Sequence, residues 1–197
     1  MTDAQTEIAA AAARWVVEDG MEFGPAKRRA AKQLGLTGRA DLPDNATLEC
    51  AVVDYVTLFC ADTQPAELLA LRRLALHWME RLAPFRPYLS GSVWHGYATR
   101  LSDIYLQLFC DDSKSAEITL IDQRLSYQVQ TVNGLHGAPV DALSLGVYCD
   151  TLKQEISLHL MIYDHNDVRG ALKADAKGRT PRGDIQALRR LMPQDML

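Results

Sequence analysis

Gly91-Ser92-Val93-Trp94-His95-Gly96-Tyr97-Ala98-Thr99-Arg100-Leu101-Ser102-Asp103-Ile104-Tyr105-Leu106-Gln107-Leu108-Phe109-Cys110-Asp111-Asp112 is the most informative run of this chain. Its second half alternates. Ile104, Leu106 and Leu108 fall on one side, and Asp103, Tyr105, Gln107 and Phe109 on the other, which is the period of a strand. Upstream, Tyr88-Leu89-Ser90 reads as a short strand released by Pro84 and Pro87. Gly91-Ser92 then turns the chain into a brief helix or turn. The unit is strand, Gly-Ser turn, strand opened by Asp103.

Before this unit the period is helical. Ile8, Ala12, Trp15 and Val16 share one helix face up to Gly20, and Gly24-Pro25 opens a basic helix that ends at Gly35. A polar loop with Gly38 and Pro43 follows. Asp44 or Asn45 caps a helix with the stripe Leu48, Val52, Tyr55, Val56 and Phe59. Pro65 starts another, with Leu68, Leu71, Ala75, Met79 and Leu82 on one side. These two stripes carry enough apolar area to pack together and onto the sheet, at about 1.5–3 kcal/mol per large side chain buried.

After the unit, residues 114–125 fit helix or strand equally. Residues 127–132 read as a strand ending in the turn signal Asn133-Gly134, and 139–149 as its partner. Residues 155–163 alternate cleanly, with Ile156, Leu158, Leu160 and Ile162 opposite Glu155, Ser157, His159, Met161 and Tyr163. On that face His159 is positioned to meet Tyr105 across the sheet, or to serve as a hydrogen-bonded, half-buried histidine. The polar tail recovers one short helix at 185–191. The expectation is an α+β chain, with a helical region over 1–84 and a mixed sheet over 85–197.

The chain has 197 residues, 48% hydrophobic and 23% charged, with a formal net charge of −4. That balance argues against a duplex nucleic acid partner. The clusters Lys27-Arg28-Arg29 with Lys32, and Arg189-Arg190, read as solvated helix faces. Cys50, Cys60, Cys110 and Cys149 are scattered, without metal spacing. The start lacks a basic n-region, and the alanine run 9–13 is too short to span a membrane. A cytoplasmic protein with reduced thiols is expected.

The order Gly91-Ser92, short helix, Asp103-Ile104-Tyr105 resembles the core of the DNA polymerase beta-like nucleotidyltransferases over residues 88–163. The resemblance implies a mixed sheet of nucleotidyltransferase type. It also implies a phosphate turn at Gly91 and Ser92, and Asp103 as metal ligand and catalytic carboxylate. His95, which follows Gly-Ser-Val-Trp, reads either as a nucleotide-phosphate contact or as a plain turn residue. Tyr105 stands where that family carries a second Asp and becomes a nucleotide-side contact. Asp141 and Glu155 remain alternative third carboxylates. Nucleotidyl transfer needs Mg2+ held between carboxylates and a triphosphate, with backbone donors for the phosphates. A phenol, with a solution pKa of about 10, is a poor magnesium ligand. Weak or absent Mg2+ binding is therefore expected.

Three readings follow. The first is a catalytically degenerate nucleotidyltransferase fold, a pseudoenzyme that binds a nucleotide or a protein partner. The second is an active Mg2+-dependent nucleotidyltransferase in which Asp141 or Glu155 compensates. The third is a non-enzymatic α+β protein that pairs as a homodimer through its helical half. The run Asp164-His165-Asn166-Asp167 has Arg169 where a calcium loop needs Gly. Arg182-Gly183-Asp184 is an adhesion tripeptide by spelling only. No P-loop signature occurs, and no Ser-His-Asp set has local support.

Overall fold

The computed structural model describes residues 2–36, 42–112, 114–135, 137–168 and 178–193. The chain divides into two compact units, one of residues 1–66 with 99–101, the other of 67–98 with 102–197.

The first unit holds α1 (Asp3–Asp19), α2 (Phe23–Gln33) and α3 (Asn45–Phe59). Thr2 caps α1 with a capping box closed by Gln5, and Gly20 ends it in the left-handed conformation that glycine adopts without penalty. The buried side of α1 is Ile8, Ala9, Ala12, Ala13 and Val17, and α2 buries Ala26, Ala30 and Ala31. Alanine on both surfaces lets the helix axes approach closely. Helix α2 begins at Phe23 with Glu22 as its cap, two residues before the expected Gly24 cap and Pro25 start. Asp44 caps α3 by accepting from the Thr47 amide at 2.7 Å, and α3 buries Leu48, Val52 and Val56. The expected stripe fails at its end: Phe59 is 69% exposed, with its ring tilted against Tyr55 at 4.6 Å between centroids. The expected loop residue Gly38 lies outside the described residues.

The second unit is built on a six-stranded mixed sheet of order β3-β4-β5-β2-β1-β6. Its strands are β1 (Tyr88–Ser90), β2 (Ile104–Cys110), β3 (Gln128–Asn133), β4 (Pro139–Cys149), β5 (Gln154–Asp164) and β6 (Arg182–Gly183). Among the described strands only β2 and β5 pair in parallel. Helix α4 (Gln64–Arg81) belongs with this sheet from Glu67 onward, so the division falls in its first turn rather than after residue 84. The reason is its stripe. Leu71, Ala75, Met79 and Leu82 join Leu89, Ile104, Leu106, Leu108, Leu158 and Leu160 in one core. Helices α6 (Lys114–Asp122) and α7 (Ile185–Arg190) add Ala116, Leu120 and Leu188 to the same face. The ambiguous segment at 114–125 is thus a helix. Asn133-Gly134 makes a longer loop than a two-residue hairpin, closed by the Gly134 amide on the Ala138 carbonyl at 2.8 Å.

The α+β expectation holds, with helices first and a mixed sheet after. No helix among the described residues is long and apolar enough to cross a membrane.

Candidate functional site

Strand alternation gives the sheet two unlike faces. One is the core beneath α4, α6 and α7. On the other, ladder partners put Arg182, Ser90, Tyr105, His159, Ser144 and Gln128 side by side, one from each strand across the sheet. Cross-strand partners point the same way, so this row is a band of polar and aromatic groups. At one end of the face Phe109 and Tyr163 stack and are closed over by Tyr88, Leu135, Val140, Met161 and Val168. Burial there raises the Tyr163 hydroxyl above its ordinary pKa. At the other end an open cleft of about 550 Å³ is lined by residues including Gln128, Gln130, Ser144, Glu155, Ser157 and His159.

The centre of the band is a hydrogen-bonded chain. The Ser144 hydroxyl lies 2.8 Å from His159 Nδ1, and His159 Nε2 lies 3.2 Å from Asp103 Oδ2. The imidazole also stacks on Tyr105, with ring centroids 4.8 Å apart and planes 21° from parallel. Two strands and the entry to a third supply the chain: Asp103 immediately precedes β2, His159 is on β5 and Ser144 on β4. The histidine is therefore held on both nitrogens and on one ring face, in a single orientation.

Gly91 and Ser92 open a short helix behind β1. Ser90 is the residue before α5 (Gly91–His95), and Gly91 takes φ +73°, a left-handed conformation that favours glycine. A Cβ on Gly91 would stand 3.4 Å from Tyr105 Cδ2, so this turn and the β2 face are in contact. His95 ends α5 and stacks on Tyr97 at 6.4 Å between centroids.

Two expected carboxylates do not join Asp103. Asp141 alternates with Leu143, Leu145 and Val147, which belong to the core, so it lies on the helix-covered face; Lys114 of α6 feels its charge. Glu155 is on the same face as Asp103 but leans over β4, where a Cβ on Gly146 would stand 2.4 Å from its carboxyl carbon. The reason is shared: one step of strand parity decides the face, and a missing side chain decides which way a neighbour leans. Asp111 and Asp112 sit beyond the far end of β2, where Asp112 accepts from the Lys114 amide at the start of α6.

The basic clusters have local roles. Lys27 donates to the Pro43 carbonyl and to Asn45 Oδ1, Arg29 lies 3.7 Å above the Trp15 ring, and Arg189 pairs with Glu80 at 2.6 Å. Asp164 turns the chain by accepting from the Asn166 amide at 2.8 Å. Arg169, the residue that argued against a calcium loop, lies outside the described residues.

Sequence reasoning missed Ser144 and Arg182. The signal for Ser144 was the short turn at 150–153, because a β4–β5 hairpin closed there pairs Ser144 with His159. Arg182 carried only a misleading spelling. In the fold the tripeptide separates into three jobs. Arg182 is buried with Nη1 on Gln107 Oε1, Gly183 lies under the Trp94 ring, and Asp184 caps α7 by accepting from the Ala187 amide at 2.7 Å.

No family model, no curated protein and no solved structure matches this chain.

Proposed function

We propose that the protein is a nucleotidyltransferase-type fold, catalytically degenerate, that binds a nucleotide through the hydrogen-bonding face of its sheet without a metal–triphosphate cage. One observation carries the reading: the side chains gathered behind the Gly-Ser turn are Asp103, Tyr105 and His159, a single carboxylate beside a phenol and an imidazole. That donor set does not fit Mg2+, which takes oxygen ligands, chiefly carboxylates and phosphates, in strict octahedral geometry. The one carboxylate is already engaged by His159. The cleft beside it suits a base and sugar instead. Gln128, Gln130, Ser144 and Ser157 offer paired donors and acceptors, and its volume is that of a small-molecule site.

Calorimetry with each nucleoside triphosphate, in magnesium and in chelator, tests this on wild type, His159→Ala and Asp103→Ala. Binding that survives the chelator and weakens in His159→Ala is expected. Binding that requires magnesium and vanishes in Asp103→Ala would instead support an active transferase. Absence of binding under both conditions would reduce Gly91-Ser92 and Asp103 to ordinary turn and strand residues. The oligomerising reading rests on Leu58 and Phe59, 74% and 69% exposed side by side at the end of α3. Sedimentation of wild type against Leu58→Glu tests it.

A further inference from the structure

The last strand of the sheet carries a buried cation that no carboxylate among the described residues neutralises. Arg182 is only 8% exposed. Nη1 donates to the neutral Gln107, its Nε finds no hydrogen-bond partner, and no carboxylate pairs with it among the described residues. Burial lowers its pKa, the mark of a charge stripped of water. A buried charge without a partner is strongly destabilising, and an apolar side chain of the same shape would be more stable. Such an arginine persists where something else supplies the counter-charge.

The surroundings indicate where that counter-charge enters. Arg182 lines a second pocket, of about 380 Å³, at the β6 edge, with Tyr88, Trp94, Thr180, Arg190 and Asp184 among its other walls. Arg190 is exposed and makes no ion pair among the described residues. Asp184 is the acidic wall, and its carboxylate is turned to the Ala187 amide at the start of α7. A third guanidinium, Arg72, stands behind α5 and donates to the Val93, Trp94 and Leu191 carbonyls. Among the described residues, three cations thus stand near Trp94 against one occupied carboxylate. The aromatic walls are fixed. Trp94 Nε1 donates to the Thr180 carbonyl at 2.7 Å, and its ring lies across Gly183.

We propose that this pocket binds a small phosphomonoester, the phosphate facing Arg182 and Arg190 and the organic group lying against Trp94 and Tyr88. Two guanidiniums on one pocket match a dianion better than a carboxylate, and arginine is the residue suited to a planar, forked contact with phosphate oxygens. The volume holds a phosphorylated small molecule but not a polymer. The site shares no side chain with the Asp103–His159–Ser144 cleft and does not depend on the nucleotide reading of that cleft.

The indole N–H of Trp94 is a local reporter for heteronuclear NMR, assigned by Trp94→Phe. Titration with inorganic phosphate, adenosine monophosphate, adenosine and acetate is the test. The Trp94 signal should move to saturation with phosphate, at lower concentration with adenosine monophosphate, and little with adenosine or acetate. Asp103→Ala should leave these curves unchanged. Arg182→Met should weaken phosphate binding about 10-fold or more, the loss expected for a charge-assisted contact. Arg190→Gln, at an exposed position, should weaken it about threefold. A wild-type signal that does not saturate with phosphate, or that follows ionic strength alone, overturns the proposal. So does saturation that survives Arg182→Met. Should that variant not fold, Arg190→Gln decides, and an unchanged affinity there overturns the proposal as well.

Discussion

Gly183→Ala and Gly146→Ala place the same methyl group into the same sheet, and the structure predicts very different costs. A Cβ on Gly183 would stand 2.0 Å from Trp94 Cη2 and 2.2 Å from Cζ3, where ordinary carbon contacts need about 3.5–4.0 Å. The indole must retreat by roughly 1.5 Å, and its Nε1 is anchored on the Thr180 carbonyl. Overpacking costs about 1–3 kcal/mol and loss of the anchoring hydrogen bond about 1 kcal/mol. The total is about 2–4 kcal/mol, or roughly 4–16 °C in Tm for a chain of this size. A Cβ on Gly146 would stand 2.4 Å from Glu155 Cδ, nominally almost as close. The obstacle there is the far end of a flexible side chain beside an open cleft, which swings away for less than about 1 kcal/mol. Urea denaturation of both variants, followed by tryptophan fluorescence, gives the comparison. A Gly183→Ala stability within 0.5 kcal/mol of Gly146→Ala, a margin of about the size of ordinary surface effects, would refute the packing argument.

Three further outcomes are expected. Tyr105→Asp loses the stack on His159, about 0.5–1.5 kcal/mol, and should lower Tm in chelator; a Tm that magnesium raises in this variant and not in wild type would show that Asp103 still faces the added carboxylate. On acidification, Asp44 is held below the ordinary carboxylate range by the Thr47 amide, Glu117 by Lys114 and Tyr127, and Glu18 by Tyr55 and Arg14. Depressed folded values contribute stability above the unfolded pKa of about 4 that is lost as pH falls through the folded values, so unfolding midpoints should be flat from neutral pH to about 5 and decline below about 4; unchanged midpoints through that lower range would contradict these contacts. Thiol titration should find Cys50 and Cys60 fast and Cys110 slow, because burial, with Asp111 and Asp112 nearby, pushes the Cys110 thiol up to about 11; fast reaction of Cys110 in the folded protein would count against its burial.

Local pattern determined a great deal of this protein on its own. The alternation at 104–108 and 156–162 assigns the core face of β2 and β5 correctly, because strand parity is a property of the backbone alone. Asp44 as a cap, Gly20 and Gly35 as helix ends, and Gly91-Ser92 as a turn depend on a few neighbouring residues, and short range is where sequence is explicit. The same parity puts His159 and Tyr105 on one face, and the β2–β5 register sets them opposite each other. Tertiary structure decided what lies beyond that range. Pairing register brought Ser144 to His159, and lean direction took Glu155 away from Asp103, since both depend on which strand lies alongside and how much room it leaves. Asp141 went to the wrong face for a third carboxylate by a single step of parity on β4. Arg182 shows the limit most plainly. Nothing in Arg182-Gly183-Asp184 announces burial; a two-residue edge strand acquires its environment only when β1 and Trp94 close over it, and that packing turns an ordinary arginine into a buried charge with no carboxylate partner among the described residues.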